Sequence, residues 1–147
     1  MAEALREPGM IHVKAMALIV RDGKLLVQKG FDSVKEQAFY RLPGGGVHFQ
    51  EVAVEAIVRE LREELESDIK NIAPHGVAEN IFTYRGVPGH EVIFLFSAEL
   101  SRGELYERDA FPMADNPSIT LTWISIADVL SGIATLYPEV QWSDYLR

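Results

Sequence analysis

The sequence predicts a mixed α/β domain. Three observations carry that expectation. An apolar, β-branched run is broken by Asp22-Gly23, two further strand-like runs flank a turn-rich connector, and between these lies Val47 to Ile72, which has neither Pro nor Gly. Val13 to Val20 and Lys24 to Gln28 face each other across Arg21-Asp22-Gly23, and Asp-Gly between apolar runs is a strong hairpin signal. Phe39 to Leu42 reads as a short strand ending at Pro43, and Gly44-Gly45-Gly46 punctuates the chain. The middle of Val47 to Ile72 reads as a helix. Gly76 to Tyr84 and Glu91 to Leu100 read as strands joined by the connector Arg85 to Gly89. Ser101 to Pro117 is polar, with Gly103, Pro112 and Pro117, and reads as a long loop. Ile119 to Ile124 is a strand, followed by a short helix opening at Ser125, with Asp128 completing a weak capping box. Pro138 starts a last short helix. The hairpins imply antiparallel pairs in the sheet.

With 147 residues, 48% of them hydrophobic and 24% charged, the chain fits one domain spanning 1–147. There is no cysteine, which excludes disulfide scaffolds, zinc-thiolate sites and cysteine nucleophiles. The 22 acidic residues outnumber the 14 basic ones, for a net charge of −8. Such a surface repels phosphate backbones, so neither a nucleic acid polymer nor an anionic membrane is expected as a partner. A small phosphorylated ligand stays open, provided cations carry the interaction. Met1 to Met10 mixes both signs of charge and lacks an apolar core, unlike a signal peptide. The longest apolar run, Ala15 to Val20, is far short of the roughly 20 residues that span a bilayer. A soluble, cytoplasmic protein is the expectation.

The segment Glu51 to Glu66 holds most of the chemistry. At about 100° per residue, Val54, Ile57, Val58, Leu61 and Leu65 form one stripe that faces the core. Glu60, Glu63 and Glu64 crowd together along one flank, with Glu64 at the edge of the stripe, while Arg59 and Glu55 point to the opposite side. Like charges at this spacing cost about 0.2–0.5 kcal/mol per pair. Carboxylates near a helix C-terminus also oppose the macrodipole, by about 0.3–1 kcal/mol each. An acidic helix is most often a solvated face. Here the closeness of Glu64 to the apolar stripe argues otherwise, as does the Gly triplet, whose bare backbone permits close approach. Divalent cations would turn the repulsion into attraction, and three converging carboxylates make a hard-oxygen site suited to Mg²⁺ or Mn²⁺. By itself the triplet matches neither a P-loop nor a dinucleotide fingerprint.

Gly45, five residues, Glu51, seven residues, then Arg59-Glu60-Leu61-Arg62-Glu63-Glu64 resembles the signature box of the Nudix hydrolases. Leu42-Pro43-Gly44 resembles the usual lead into that box. The likeness covers Gly45 to Ser67 and rests on fixed polar and Gly identities at fixed spacing. Outside the box it is one of order only, with Trp123 on a strand that leads into a short helix. Two positions depart from the pattern, since Glu66 and Ser67 stand where the family usually has Gly and an aliphatic residue. A non-Gly residue pays about 1–2 kcal/mol in the left-handed conformation, so the helix exit is where the departure would be felt.

The resemblance implies an α/β/α sandwich with a mixed central sheet. It also implies metal-dependent hydrolysis of a pyrophosphate bond in a nucleoside di- or triphosphate derivative, a nucleoside diphosphate linked to another group. By the same analogy Glu60, Glu63 and Glu64 ligate metal, with the Gly44 carbonyl as a further ligand. Arg59 holds a box carboxylate in place, and Glu51 is structural. Glu60 or Glu64 takes the proton from the attacking water, with Glu99, Glu104 and Glu107 as alternatives. A homodimer is compatible with the family. The rival reading is a Nudix-like domain that binds a nucleotide without cleaving it. Substrate specificity is poorly written: Phe39, Tyr40, Phe49, Phe82 and Tyr84 are candidates to stack on a base, although strand aromatics usually belong to the core. The spacing of Tyr84 from the box resembles that of diadenosine-polyphosphate members, and His48 reads as a surface or hydrogen-bonded residue.

Overall fold

The computed structural model describes residues 9–146. Most of the segment that bears on a signal peptide therefore lies outside the described residues. β1 (His12–Leu18) is followed by the two-residue β2 (Val20–Arg21) and β3 (Lys24–Asp32). Asp22 and Gly23 both take positive φ, 48° and 74°, the backbone of a tight hairpin turn whose twist suits its strands. The apolar run before the turn is not one strand, however. Buried Ile19 separates β1 from β2, and the two join different sheets.

β4 (Gln37–Arg41) precedes β5 (Gly44–Gly46) and α1 (Ala53–Leu65). The glycine triplet, expected as a break, is itself a strand paired antiparallel with β1, Gly44 opposite Met16. β6 (Ile69–Tyr84) and β7 (Val87–Leu100) form a long antiparallel pair with bulges near Lys70–Ala73 and Pro74–Gly76. The connector between them shrinks to Arg85-Gly86, both at positive φ. Pro88 is tolerated within β7 because that strand pairs with β1 only from Glu91 onward, so its missing N–H interrupts no ladder on that side.

The expected loop at 101–117 contains a 3-10 helix, Gly103–Glu107, and then β8 (Ala110–Met113), which pairs with β9 (Asn116–Ser125). Pro112 hides this strand from sequence reading. It is acceptable there because β8 is an edge. α2 (Ile126–Ser131) starts at Ser125, but the Ser125 side chain makes no capping hydrogen bond, so the capping box does not form. β10 (Leu136–Tyr137) comes next, and the last short helix is Trp142–Asp144 rather than one begun by Pro138.

The strands make two mixed sheets, one ordered β5-β1-β7-β6 and one ordered β10-β4-β3-β9-β8 with β2 beside β3. β1 runs parallel to β7, and β10 parallel to β4; the other pairings are antiparallel. The fold is of the α/β class. Alternation along β1 sorts its side chains between two cores. Ala15 and Ala17 join Ile57, Leu61 and Leu65 of α1, while Met16 and Leu18 join Val129 of α2 and Trp142. The strands thus lie between α1 on one side and α2 with the C-terminal segment on the other. Among the described residues no helix is long and apolar enough to cross a membrane.

α1 is turned about its axis relative to the expectation from its apolar residues. Its buried face is Ala56, Ile57, Glu60, Leu61, Glu64 and Leu65. Val54 is 42% exposed and Val58 only half-buried. The glycine strand explains the turn, since backbone without Cβ lets the acidic flank come down onto it.

The helix exit bears out the concern raised by Glu66. That residue is the C-cap at φ 51°, ψ 40°, left-handed, with its N–H donating to the Arg62 carbonyl. Glu66→Gly relieves this strain and is expected to stabilise the fold by about 1 kcal/mol, read as a rise in Tm. Ser67 is buried, and its hydroxyl both donates to the Asp68 carbonyl and accepts the Arg102 N–H, so the polar replacement there is satisfied.

Candidate active site

Each glycine of β5 meets a residue of α1. The Gly44 N–H donates to Glu64 Oε1 at 2.8 Å. A Cβ on Gly45 would stand 2.5 Å from the Glu60 carboxyl carbon, and the Gly46 carbonyl accepts from Arg59 Nη2 at 2.8 Å. Gly44 also sits at φ +141°, and a Cβ there would lie 2.1 Å from the Ala15 carbonyl oxygen of β1. The bare backbone therefore receives the helix carboxylates, where the sequence pointed to close approach of a ligand. Glu60 is 2% exposed and Glu64 5%. The acids do not splay into solvent.

Arg59 ties the remainder together. Its guanidinium donates through Nε and Nη2 to both oxygens of Glu51, at 2.9 and 3.0 Å. Its Nη1 donates to Glu60 Oε1 at 2.9 Å and to Glu63 Oε1 at 3.3 Å. The expectation that Arg59 points away from the carboxylates is therefore wrong. A long side chain can wrap across a helix face that its Cα direction would not reach. Glu51 also accepts the His48 N–H at 3.0 Å, which joins the start of the box to the helix.

The electrostatics follow from these contacts. Hydrogen bonds from Arg59, then from the His48 backbone, pull the Glu51 carboxyl down to about 2. Arg59 is held above its ordinary value, chiefly by its hydrogen bond to Glu51. Burial pushes Glu64 up to about 8, reinforced by the charge of Glu60 and opposed by the Gly44 N–H and by Arg41. Well below 4.5, its ordinary value, Glu64 is protonated in both states. As pH rises toward 8 the unfolded chain loses that proton while the folded one keeps it, so stability drains away over this interval. The metal-free protein is expected to lose Tm between about pH 5 and 8, and Glu64→Gln to remove much of that slope in a thermal-melt series.

The donor set is oxygen only, the kind a hard divalent cation takes. Glu63 Oε2 is shut away from solvent with no hydrogen-bond partner, and an orphaned buried carboxylate oxygen is costly without a cation or donor. As they stand, no three His, Asp or Glu side chains among the described residues close around one point, because the facing oxygens of Glu60 and Glu63 are spent on Arg59. The residues present fit a divalent cation in chemistry and in their unsatisfied oxygen, with Arg59 supplying positive charge between two of them.

The alternative proton acceptors Glu99, Glu104 and Glu107 are exposed, and the contacts shown for Glu99 and Glu104 are to Asn71 and Arg102. His48 is exposed and its backbone N–H donates to Glu51. Phe49 is 93% exposed. Tyr40 is half-buried against the α2-side core, whereas Phe39, Phe82 and Tyr84 line a cleft. Sequence reading missed Lys14, Arg41, Asn80 and Glu91, which come together from four strands. The available signal was polar residues inside otherwise apolar strands.

The family description "NUDIX domain" matches residues 10–143 of the chain. No curated protein matches it. Among solved structures, the crystal structure of a MutT NUDIX hydrolase from Burkholderia pseudomallei is 26% identical, with a TM-score of 0.60 over 80% of this chain and 85% of that one. A NUDIX hydrolase from Nitrosomonas europaea gives a TM-score of 0.63 at 18% identity, over 94% and 86%. A MutT protein from Bacillus halodurans gives 0.57 at 17%, over 90% and 79%. The last two likenesses speak to the fold alone.

Proposed function

This chain belongs to the NUDIX family of pyrophosphohydrolases, and we propose that its substrate is a nucleoside di- or triphosphate derivative, cleaved at a pyrophosphate bond with Mg²⁺ or Mn²⁺. The observation that carries the reading is the burial of Glu60 and Glu64 against β5, beside Glu63, whose Oε2 is shut from solvent and unpaired. Glu60, Glu63 and Glu64 would hold the cation, with the Gly44 carbonyl as a further ligand. When bound, the cation would neutralise and orient the pyrophosphate and acidify a water.

The chain's own groups do the rest. Arg59, anchored by Glu51 and the Gly46 carbonyl, fixes Glu60 and Glu63 in place and offsets their mutual repulsion. The Gly44 N–H fixes the Glu64 carboxyl. Burial makes Glu64 a strong proton acceptor once it is ionised, so Glu64 or Glu60 takes the proton from the attacking water. The reading takes residues 1–147 as one domain acting in the cytoplasm on a small nucleotide; a homodimer would be tested by sedimentation.

The test is a panel of nucleoside diphosphate conjugates and triphosphates, incubated with Mg²⁺ or Mn²⁺ and scored for phosphate, pyrophosphate and nucleotide products. Cleavage of at least one, abolished by a chelator, is expected. Binding without cleavage across the panel would favour a sensor and overturn the proposal.

A further inference from the structure

The last turn of α1 carries Glu63 and Glu64, and the carbonyls that end a helix find no partner within it. Here they find donors from elsewhere in the chain. The Glu64 carbonyl accepts the Ala114 N–H at 2.7 Å, just past β8. The Leu65 carbonyl accepts Arg102 Nη1 at 3.1 Å.

Arg102 reaches the helix exit twice. While its guanidinium donates to Leu65, its backbone N–H donates to the buried Ser67 hydroxyl at 3.1 Å. Glu104 Oε1 accepts from Arg102 Nε at 2.5 Å and so aims the guanidinium. The Ser101 N–H donates to the Asp68 carbonyl at 2.9 Å, which continues the same seam. The segment that follows β7 is in this way stitched to the residues that leave α1.

That end of the helix needs positive charge from outside. Glu63, Glu64 and Glu66 stand where the helix dipole is already negative. The basic residue of the turn, Arg62, pairs with Asp68 at 2.6 Å, and Arg59 is turned to Glu51, Glu60 and Glu63. Arg102 brings its cation directly to the carbonyl end. Glu66 adds backbone strain, since its left-handed φ of 51° is unfavourable for a residue with a side chain. Ser67 adds the hydroxyl that meets Arg102, which an aliphatic residue could not supply. The two departures from the box pattern therefore act together: one strains the exit and the other helps to fasten it.

Glu64 is held at both ends, its carboxyl by the Gly44 N–H and its main chain by Ala114 and, one peptide further on, by Arg102. Freeing the second end lets the Glu63 and Glu64 side chains shift against β5. A displacement of about 1 Å at such groups is enough to matter. Resting on the hydrolase reading above, we propose that Arg102 is a positioning residue, which fastens the strained exit of α1 through Ser67 and the Leu65 carbonyl and thereby sets Glu63 and Glu64 for the cation.

Mn²⁺ affinity by electron paramagnetic resonance and amide hydrogen exchange in the last turn of α1 test this on Arg102→Ala and on the double variant Glu66→Gly/Arg102→Ala. In Arg102→Ala the exchange quickens and the Kd for Mn²⁺ rises about fivefold or more. Glycine at position 66 removes the strain that Arg102 holds down, so the double variant returns to within about twofold of the wild type. Should Arg102→Ala fail to fold, Ser67→Ala, which removes only the hydroxyl, raises the Kd about twofold or more. A contact of purely structural value would quicken exchange and leave the Mn²⁺ affinity of the folded protein unchanged. That result, or a double variant that binds no better than Arg102→Ala, overturns the proposal. A protein that binds Mn²⁺ and responds to these variants yet cleaves nothing in the substrate panel refutes the hydrolase reading alone. One that cleaves while Arg102→Ala keeps wild-type affinity refutes this inference alone.

Discussion

Glu64→Gln lowers turnover by roughly tenfold or more while leaving the fold intact, and Glu63→Gln does the same for a different reason. Gln nearly preserves the shape of Glu, and its amide oxygen can still accept the Gly44 N–H that anchors Glu64. Position 64 is also where burial makes a charge expensive, so the metal-free variant should melt no lower than the wild type near pH 8. Loss of turnover therefore separates from loss of stability. At position 63 the change removes an anionic oxygen that is buried and unpaired in the native protein, and neutralising it weakens cation binding directly. Circular dichroism and steady-state rates on both variants check the pair. Retained turnover in both would remove these acids from the mechanism.

Arg59→Met destabilises the metal-free protein by about 2 kcal/mol, and Mg²⁺ restores part of the loss. Breaking one member of a buried charged group costs about 3–5 kcal/mol, a figure reduced here because Arg59 keeps 24% of its side chain in solvent. The variant leaves Glu51, Glu60 and Glu63 without their shared donor. A divalent cation can replace some of that positive charge, so the Tm gain on adding Mg²⁺ should be larger in the variant than in the wild type. Thermal melts with and without Mg²⁺ measure both effects. An unchanged metal-free Tm would show that Arg59 does not hold the acids together.

Local signals were the ones legible in the sequence. The turn at Asp22-Gly23, the helix before Glu66 and the spacing from Gly45 to Glu64 each depend on residues close together in the chain. Even so, the helical wheel placed Ile57, Leu61 and Leu65 correctly but misjudged one edge of the buried face. It weighs Val54 and Val58 by hydropathy, whereas the structure buries Glu60 and Glu64 because β5 has no side chains to hold them off. It also sent Arg59 the wrong way, since a wheel treats a long flexible side chain as a point. β8 escaped detection because it is four residues long, contains Pro112 and gains its meaning only from pairing with β9. The cleft between the sheets was illegible for a deeper reason: Phe39, Asn80, Glu91 and Tyr137 are brought together by two sheets, and no local spacing links them.

Binding of Mn²⁺, followed by electron paramagnetic resonance on the wild-type protein and on the Glu60→Gln, Glu63→Gln and Glu64→Gln variants, tests the account at its centre. Saturable binding by the wild type that weakens in all three folded variants is the predicted result. A wild type that binds no Mn²⁺, or variants that bind it as tightly as the wild type, would contradict the claim that these acids hold a cation.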